Sequence, residues 1–265
     1  MDGIKGKELR ARLCDRDEDN FRSALAECLT CWYLAGKRKL PINPLAPGRG
    51  EKHLEMVVFD RDQSIGVEVK APHQEESLNG ISWGDGSDKI EAAVSKANKQ
   101  FDEKGPNLLV ITPNLRLQLC HHRSALARAL YGQSKITIPI SRETGTAISE
   151  ARVEFFPDGK LFKRQKSDGS PGYRRISALL CIEECGIEAY PSWHFADARL
   201  IPSWWPEAKE LHDSAVNRIW IEHNAIVLHN PFAYYPIDYQ LFSDIPQCLP
   251  NGDVMRWTDG HDATV

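Results

Sequence analysis

The chain has 265 residues, 42% hydrophobic and 26% charged, a composition that suits a globular protein with one large core or two small ones. Its formal net charge of −4 excludes the global basic excess of many nucleic-acid binders and leaves any such role to local patches. Those patches are Lys37-Arg38-Lys39, residues 121–128, Lys160 to Lys166 and Arg174-Arg175. No apolar run is long enough for a membrane span and the polar N-terminus lacks a signal-peptide core, so a cytoplasmic protein is expected.

In chain order, the first predicted element is a helix from about Asp17 to Gly36. Phe21, Ala24, Leu25, Cys28, Leu29 and Trp32 recur at helical spacing and form its expected core stripe. Glu27 lies beside that stripe and Glu18 nearer to it. The seven cysteines are odd in number and irregularly spaced, so no disulfide framework is expected, and Cys28-x-x-Cys31 reads as packing within the helix. A weak strand follows near Leu40 to Leu45.

Two strands then read as a hairpin: His53 to Asp60, a turn over Arg61 to Ser64, and Ile65 to Ala71. Alternate strand residues share a face, so Glu68 and Lys70 point the same way. A four-residue turn pairs Asp60 with Ile65 and Glu55 with Lys70, which brings Glu55 to that face and sends Asp60 to the other. A one-residue slip would reverse the choice. Two carboxylates and an amine on one face suit either a cross-strand ion pair on a solvated sheet or a divalent-metal site. Mg²⁺ takes oxygen ligands, often one or two carboxylates with waters and a substrate phosphate, and it acidifies a bound water.

A second helix is expected from about Asp88 to Lys104, opened by Asp88-x-x-Glu91 and closed by Gly105-Pro106. Its buried stripe is Ile90, Ala93, Val94, Ala97 and Phe101. Lys96 and Gln100 are four apart and share another face. The strand Asn107 to Thr112 comes next.

Leu54-Glu55, an apolar run, a turn and Glu68-Val69-Lys70, set in this order of elements, resemble the PD-(D/E)XK, restriction-endonuclease-like nuclease superfamily over residues 15–115. The resemblance implies an α/β fold with a mixed central sheet flanked by helices. It implies Glu55, Glu68 and the Val69 carbonyl as ligands of Mg²⁺ or Mn²⁺, with Lys70 as the catalytic lysine. Glu55 stands where the superfamily usually has Asp. The resemblance also implies a carboxylate from the first helix, for which Glu27 is favoured over Glu18. From the second helix it implies Gln100 near the reaction and Lys96 on nucleic acid, beside the alternative of a solvated basic face.

The second half, 135–265, reads as a mostly β extension or second domain beyond a nuclease-like core of residues 1–134. Residues 113–134 look helical. Strands are expected at 135–140, 151–156 and 175–183, then a pair at 218–222 and 225–229 with a turn at His223-Asn224. Phe156-Pro157-Asp158-Gly159-Lys160 reads as a turn. Arg174 and Arg175 are candidate nucleic-acid contacts. Trp193, Trp204, Trp205 and Trp220 suit base stacking or, more often, core anchoring. His223, His229 and Asn230 allow an HNH-like metal site, which lacks its usual surroundings. The function expected is a metal-dependent nuclease acting on DNA rather than RNA, in defence, mobile-element processing or repair. The alternative is an inactive nuclease-like module that binds nucleic acid or protein. A homodimer or an accessory protein partner is compatible with either.

Overall fold

The computed structural model describes residues 4–45, 54–72, 87–113, 123–146, 152–162, 169–186, 221–251 and 254–258. One mixed sheet of eight strands runs through it. Its elements in the first half are helices α1 (Ile4–Leu13) and α2 (Glu18–Cys31), a π-helical continuation (Trp32–Lys37), strands β1 (Ile42–Pro44), β2 (Met56–Asp60) and β3 (Gln63–Lys70), helix α3 (Ser87–Gln100) and strand β4 (Asn107–Ile111). In the second half come helix α4 (Arg123–Tyr131) and strands β5 (Gln133–Thr137), β6 (Arg152–Phe156), β7 (Ala178–Gly186), β8 (Ile221–His229), β9 (Gln247–Asn251) and β10 (Val254–Trp257). A 3₁₀ turn, Tyr239–Phe242, precedes β9.

The sheet order is β1-β2-β3-β4-β7-β8-β9-β10, with β5 and β6 forming a separate ribbon. Strands β1, β2 and β3 make an antiparallel meander, and α3 carries the chain over to β4, parallel to β3. Strand β7 is parallel to β4 and β8 antiparallel to β7. The second half therefore extends the same sheet, across the boundary expected near residue 135. Strand β8 is continuous through His223 and Asn224, which pair with Glu184 and Glu183, where a turn was expected. Nine unbroken pairs with β7 satisfy the backbone better than a turn at that point.

Alternation along the strands divides the core between the two faces of the sheet. Leu109, Ile111, Leu179, Cys181, Ile226 and Leu228 face α3 and α4, against Ile90, Val94, Phe101 and Leu126. Met56, Val58, Ile65, Val67, Val69, Leu108, Val110 and Leu180 face the side of α2, against Ala26, Cys31, Tyr33 and Leu34. Strand β4 is buried along its whole length, as a central parallel strand covered on both faces must be.

The stripe expected for α3 is buried: Ile90, Ala93, Val94, Ala97 and Phe101. That expected for α2 is buried only in part, at Ala24, with Cys28 and Leu29 half-buried. Its buried residues are Ala24, Ala26, Glu27, Thr30 and Cys31, while Phe21, Leu25 and Trp32 are exposed. Small side chains let the helix lie close to the sheet, and Arg12 of α1 compensates the buried Glu27 carboxylate with a bond of 2.6 Å. Asp17 caps α2, its carboxylate accepting the Asp19 and Asn20 amides.

Trp193, Trp204, Trp205 and Trp220 lie outside the described residues. Among the described residues no helix is long and apolar enough to cross a membrane.

Candidate active site

The hairpin turn is two residues long, Arg61 and Asp62, with Asp60 opposite Gln63. Arg61 takes φ 51°, the left-handed conformation that tight hairpin turns require. This corrects the register by two residues: Met56 faces Val67, where a four-residue turn would have set it opposite Val69. A shift of two preserves parity for the paired residues Met56 to Asp60. The Glu55 amide also donates to the Val67 carbonyl, at 3.0 Å, although Val67 is already the partner of Met56. Two residues opposite one make a bulge, which re-aims the chain where β2 begins.

Glu68 is completely buried. One carboxylate oxygen, Oε1, accepts from the Lys70 ammonium at 2.5 Å. The other, Oε2, is buried without a hydrogen-bond partner. Burial pushes the Glu68 pKa up to about 7, against the opposing charge and hydrogen bond of Lys70, with Glu55 adding to the rise and Gln100 opposing it.

A cavity of about 380 Å³ opens around the C-terminal end of β3. Its floor carries Glu55, Glu68, Val69 and Lys70; α2 contributes Asp19, Arg22 and Ser23; α3 contributes Lys89, Lys96 and Gln100. Val69 lies beyond the last β2 partner of β3. The cavity thus has carboxylates at its base, two lysines on the α3 wall, and Asp19 beside the Glu18-paired Arg22 on the α2 wall.

Of the residues singled out in the sequence, Glu55, Glu68, Val69, Lys70, Lys96 and Gln100 line this one cavity. Glu27 does not. It sits one step behind the wall, held by Arg12, whose other nitrogen donates to Ser23 Oγ at 2.8 Å. Glu18 is exposed outside the cavity and pairs with the cavity-lining Arg22. The carboxylate that α2 does bring to the cavity is Asp19, which sequence reasoning missed. Its signal was its spacing, four residues before Ser23 and three before Arg22, on one helical face.

Arg174 and Arg175 also lie elsewhere, before the N-terminal end of β7. Arg174 covers the Tyr234 ring at 4.4 Å and donates to the Phe232 carbonyl. Arg175 is paired with Glu103 at 2.8 Å. Both face away from the cavity because their partners belong to the loops at the opposite end of the parallel strands. His229 is buried and shares a hydrogen bond of 2.9 Å with Gln247 through Nε2, and burial lowers its pKa. The Asn230 amide donates to the Tyr173 and Ile176 carbonyls. Both are held by structural contacts.

The donor set at the base of the cavity fits a hard cation. Glu68 Oε2 is a buried acceptor without a donor, and a second carboxylate, Glu55, lines the same cavity. Among the described residues no group of three or more His, Cys, Asp or Glu converges on one point, so two carboxylates, a carbonyl and waters are the set on offer. No family model matches the chain, nor does any curated protein or solved structure. The functional reading therefore rests on this geometry.

Proposed function

We propose that the protein is a Mg²⁺- or Mn²⁺-dependent nuclease with a restriction-endonuclease-like core, hydrolysing phosphodiester bonds in DNA. The observation that carries the reading is Glu68: a fully buried carboxylate, one oxygen held by Lys70 and the other without a partner, at the base of a cavity with two lysines on its α3 wall. An ionisable group buried at such a cost in a cleft is more readily explained by a functional task than by stability. The order helix, antiparallel meander, helix and parallel strand around it supports the same reading.

Glu55 and Glu68, assisted by the Val69 carbonyl, are the residues to hold the cation. When bound, such an ion neutralises the carboxylates, polarises a phosphoryl oxygen and acidifies a water. Lys70 orients the attacking water or offsets charge that develops on the phosphate. Gln100 steadies the Glu68 carboxylate from α3. Arg22, Lys89 and Lys96 attract the polyanion to the cavity in spite of the net negative charge of the chain.

Cutting of DNA in Mg²⁺ or Mn²⁺, stopped by chelator and by Lys70→Ala, tests the proposal. Binding of nucleic acid without any cutting would favour the inactive-module reading instead.

A further inference from the structure

Ser23 is one helical turn along from Asp19 on the α2 wall of the cavity. Its hydroxyl has one donor proton and acceptor lone pairs. Arg12 Nη2 donates to Ser23 Oγ at 2.8 Å, so the oxygen is engaged as an acceptor. Among the described residues this is the one hydrogen bond of that hydroxyl, and its proton has no acceptor. A hydroxyl in mid-helix usually turns back to the carbonyl four residues earlier, as Thr30 does to Ala26 and Ser95 to Glu91. Ser23 does not; its oxygen accepts from the guanidinium of α1 instead.

Arg12 is itself fixed. Its Nη1 is 2.6 Å from Glu27 Oε1 and 3.8 Å from Glu8 Oε1. The fork therefore spans a buried carboxylate on one side and the hydroxyl of a cavity-lining residue on the other. A guanidinium that donates to a hydroxyl oxygen polarises its O–H bond and makes it a stronger donor. Lys89 and Lys96 of α3 line the same cavity, outnumber the single α2 carboxylate, Asp19, and favour an anion as what such a donor meets.

We infer that Ser23 is a substrate-positioning residue, donating its proton to a non-bridging oxygen of a nucleic-acid phosphate, and that Arg12 is the positioning residue that aims it. The inference rests on the nuclease reading above and gives α2 the task of fixing the strand relative to Glu68 and Lys70. The contact is made equally in the ground and transition states, so its loss raises KM and leaves kcat in place.

The test compares wild type, Ser23→Ala, Ser23→Thr, Arg12→Lys and the double variant Arg12→Lys/Ser23→Ala. Each is read by cleavage kinetics in Mg²⁺ and by fluorescence anisotropy of a labelled oligonucleotide in Ca²⁺, with thermal melts to confirm folding. Loss of one hydrogen bond to a charged oxygen predicts about a tenfold rise in KM and in Kd for Ser23→Ala. Ser23→Thr, which keeps the hydroxyl, restores both to within about threefold. Arg12→Lys reproduces the Ser23→Ala effect, and the double variant is no weaker than Ser23→Ala alone, because Arg12 acts through Ser23. Ser23→Ala with the KM and Kd of wild type, in a protein that cuts, overturns this inference alone. Additive losses in the double variant overturn the role of Arg12. Wild type that neither binds nor cuts any nucleic acid overturns the nuclease reading and this inference with it.

Discussion

Lys70 Nζ lies 2.5 Å from Glu68 Oε1, two residues away on the same face of one strand. The pair joins the most costly buried charge of the cavity to the group best placed to act on a substrate. Lys70 compensates only part of that cost, since the Glu68 pKa still rises to about 7.

The sign of the pH dependence follows. The folded-state pKa of Glu68 is above its ordinary 4.5, so ionising this group weakens the fold as pH rises. The penalty is absent below about pH 4.5 and fully present above about pH 7. Glu68→Gln should therefore stabilise the metal-free protein by up to about 3 kcal/mol at pH 8 and by almost nothing at pH 4. Urea unfolding at both values in chelator measures the difference.

Metal uptake should show the complementary behaviour. The cation needs the carboxylate, so binding at pH 6 displaces a proton from Glu68 and binding at pH 8 does not. Calorimetric titration with Mn²⁺ in buffers of different ionisation enthalpy should give close to one proton released at pH 6 and near zero at pH 8. Equal release at both values would place the ligand elsewhere.

Gly66 is the position that lets the hairpin close on β4. A Cβ there would lie 2.7 Å from Asn107 Oδ1 and 2.8 Å from Leu54 Cδ1. Asn107 cannot give way easily, because its Nδ2 donates to the carbonyls of Asp102, Gly105 and Arg175. Gly66→Ala should cost about 1–3 kcal/mol by overpacking, with a lowered Tm. It should also reduce activity beyond its effect on folding, because Glu55 follows Leu54 directly.

Arg12→Ala removes the cation that compensates buried Glu27. Arg12 is partly exposed, so the loss should fall below that of a fully buried pair, at about 2–3 kcal/mol. Adding Glu27→Gln should recover most of it. Thermal melts of the single and double variants provide the check.

The sequence carried the β-hairpin, the α3 stripe and the co-facing of Glu68 and Lys70, because strand and helix periods are local; Glu55 lines the same cavity beyond a bulge that strand parity does not foresee. The residue-level register was less legible. It depended on whether the turn held four residues or two, and on a positive φ at Arg61 that nothing in the identity of that residue announces. The inward face of α2 was misread in part, because hydrophobic periodicity assumes that large apolar residues face inward. Here Phe21, Leu25 and Trp32 are exposed while Glu27 is buried by a partner on another helix. The same long-range contact removed Glu27 from the cavity and left Asp19 and Ser23 to line it. The continuity of β8 was likewise decided by its pairing with β7, beyond the reach of a local reading.

The most direct test of the central claim is cleavage of plasmid, linear and single-stranded DNA with Mg²⁺ or Mn²⁺, comparing wild type with Glu68→Ala and Lys70→Ala. The account predicts chelator-sensitive cutting by wild type and a loss of at least about a hundredfold in either variant, with Lys70→Ala still binding metal. Cutting that survives both substitutions would contradict it and move the chemistry away from this hairpin.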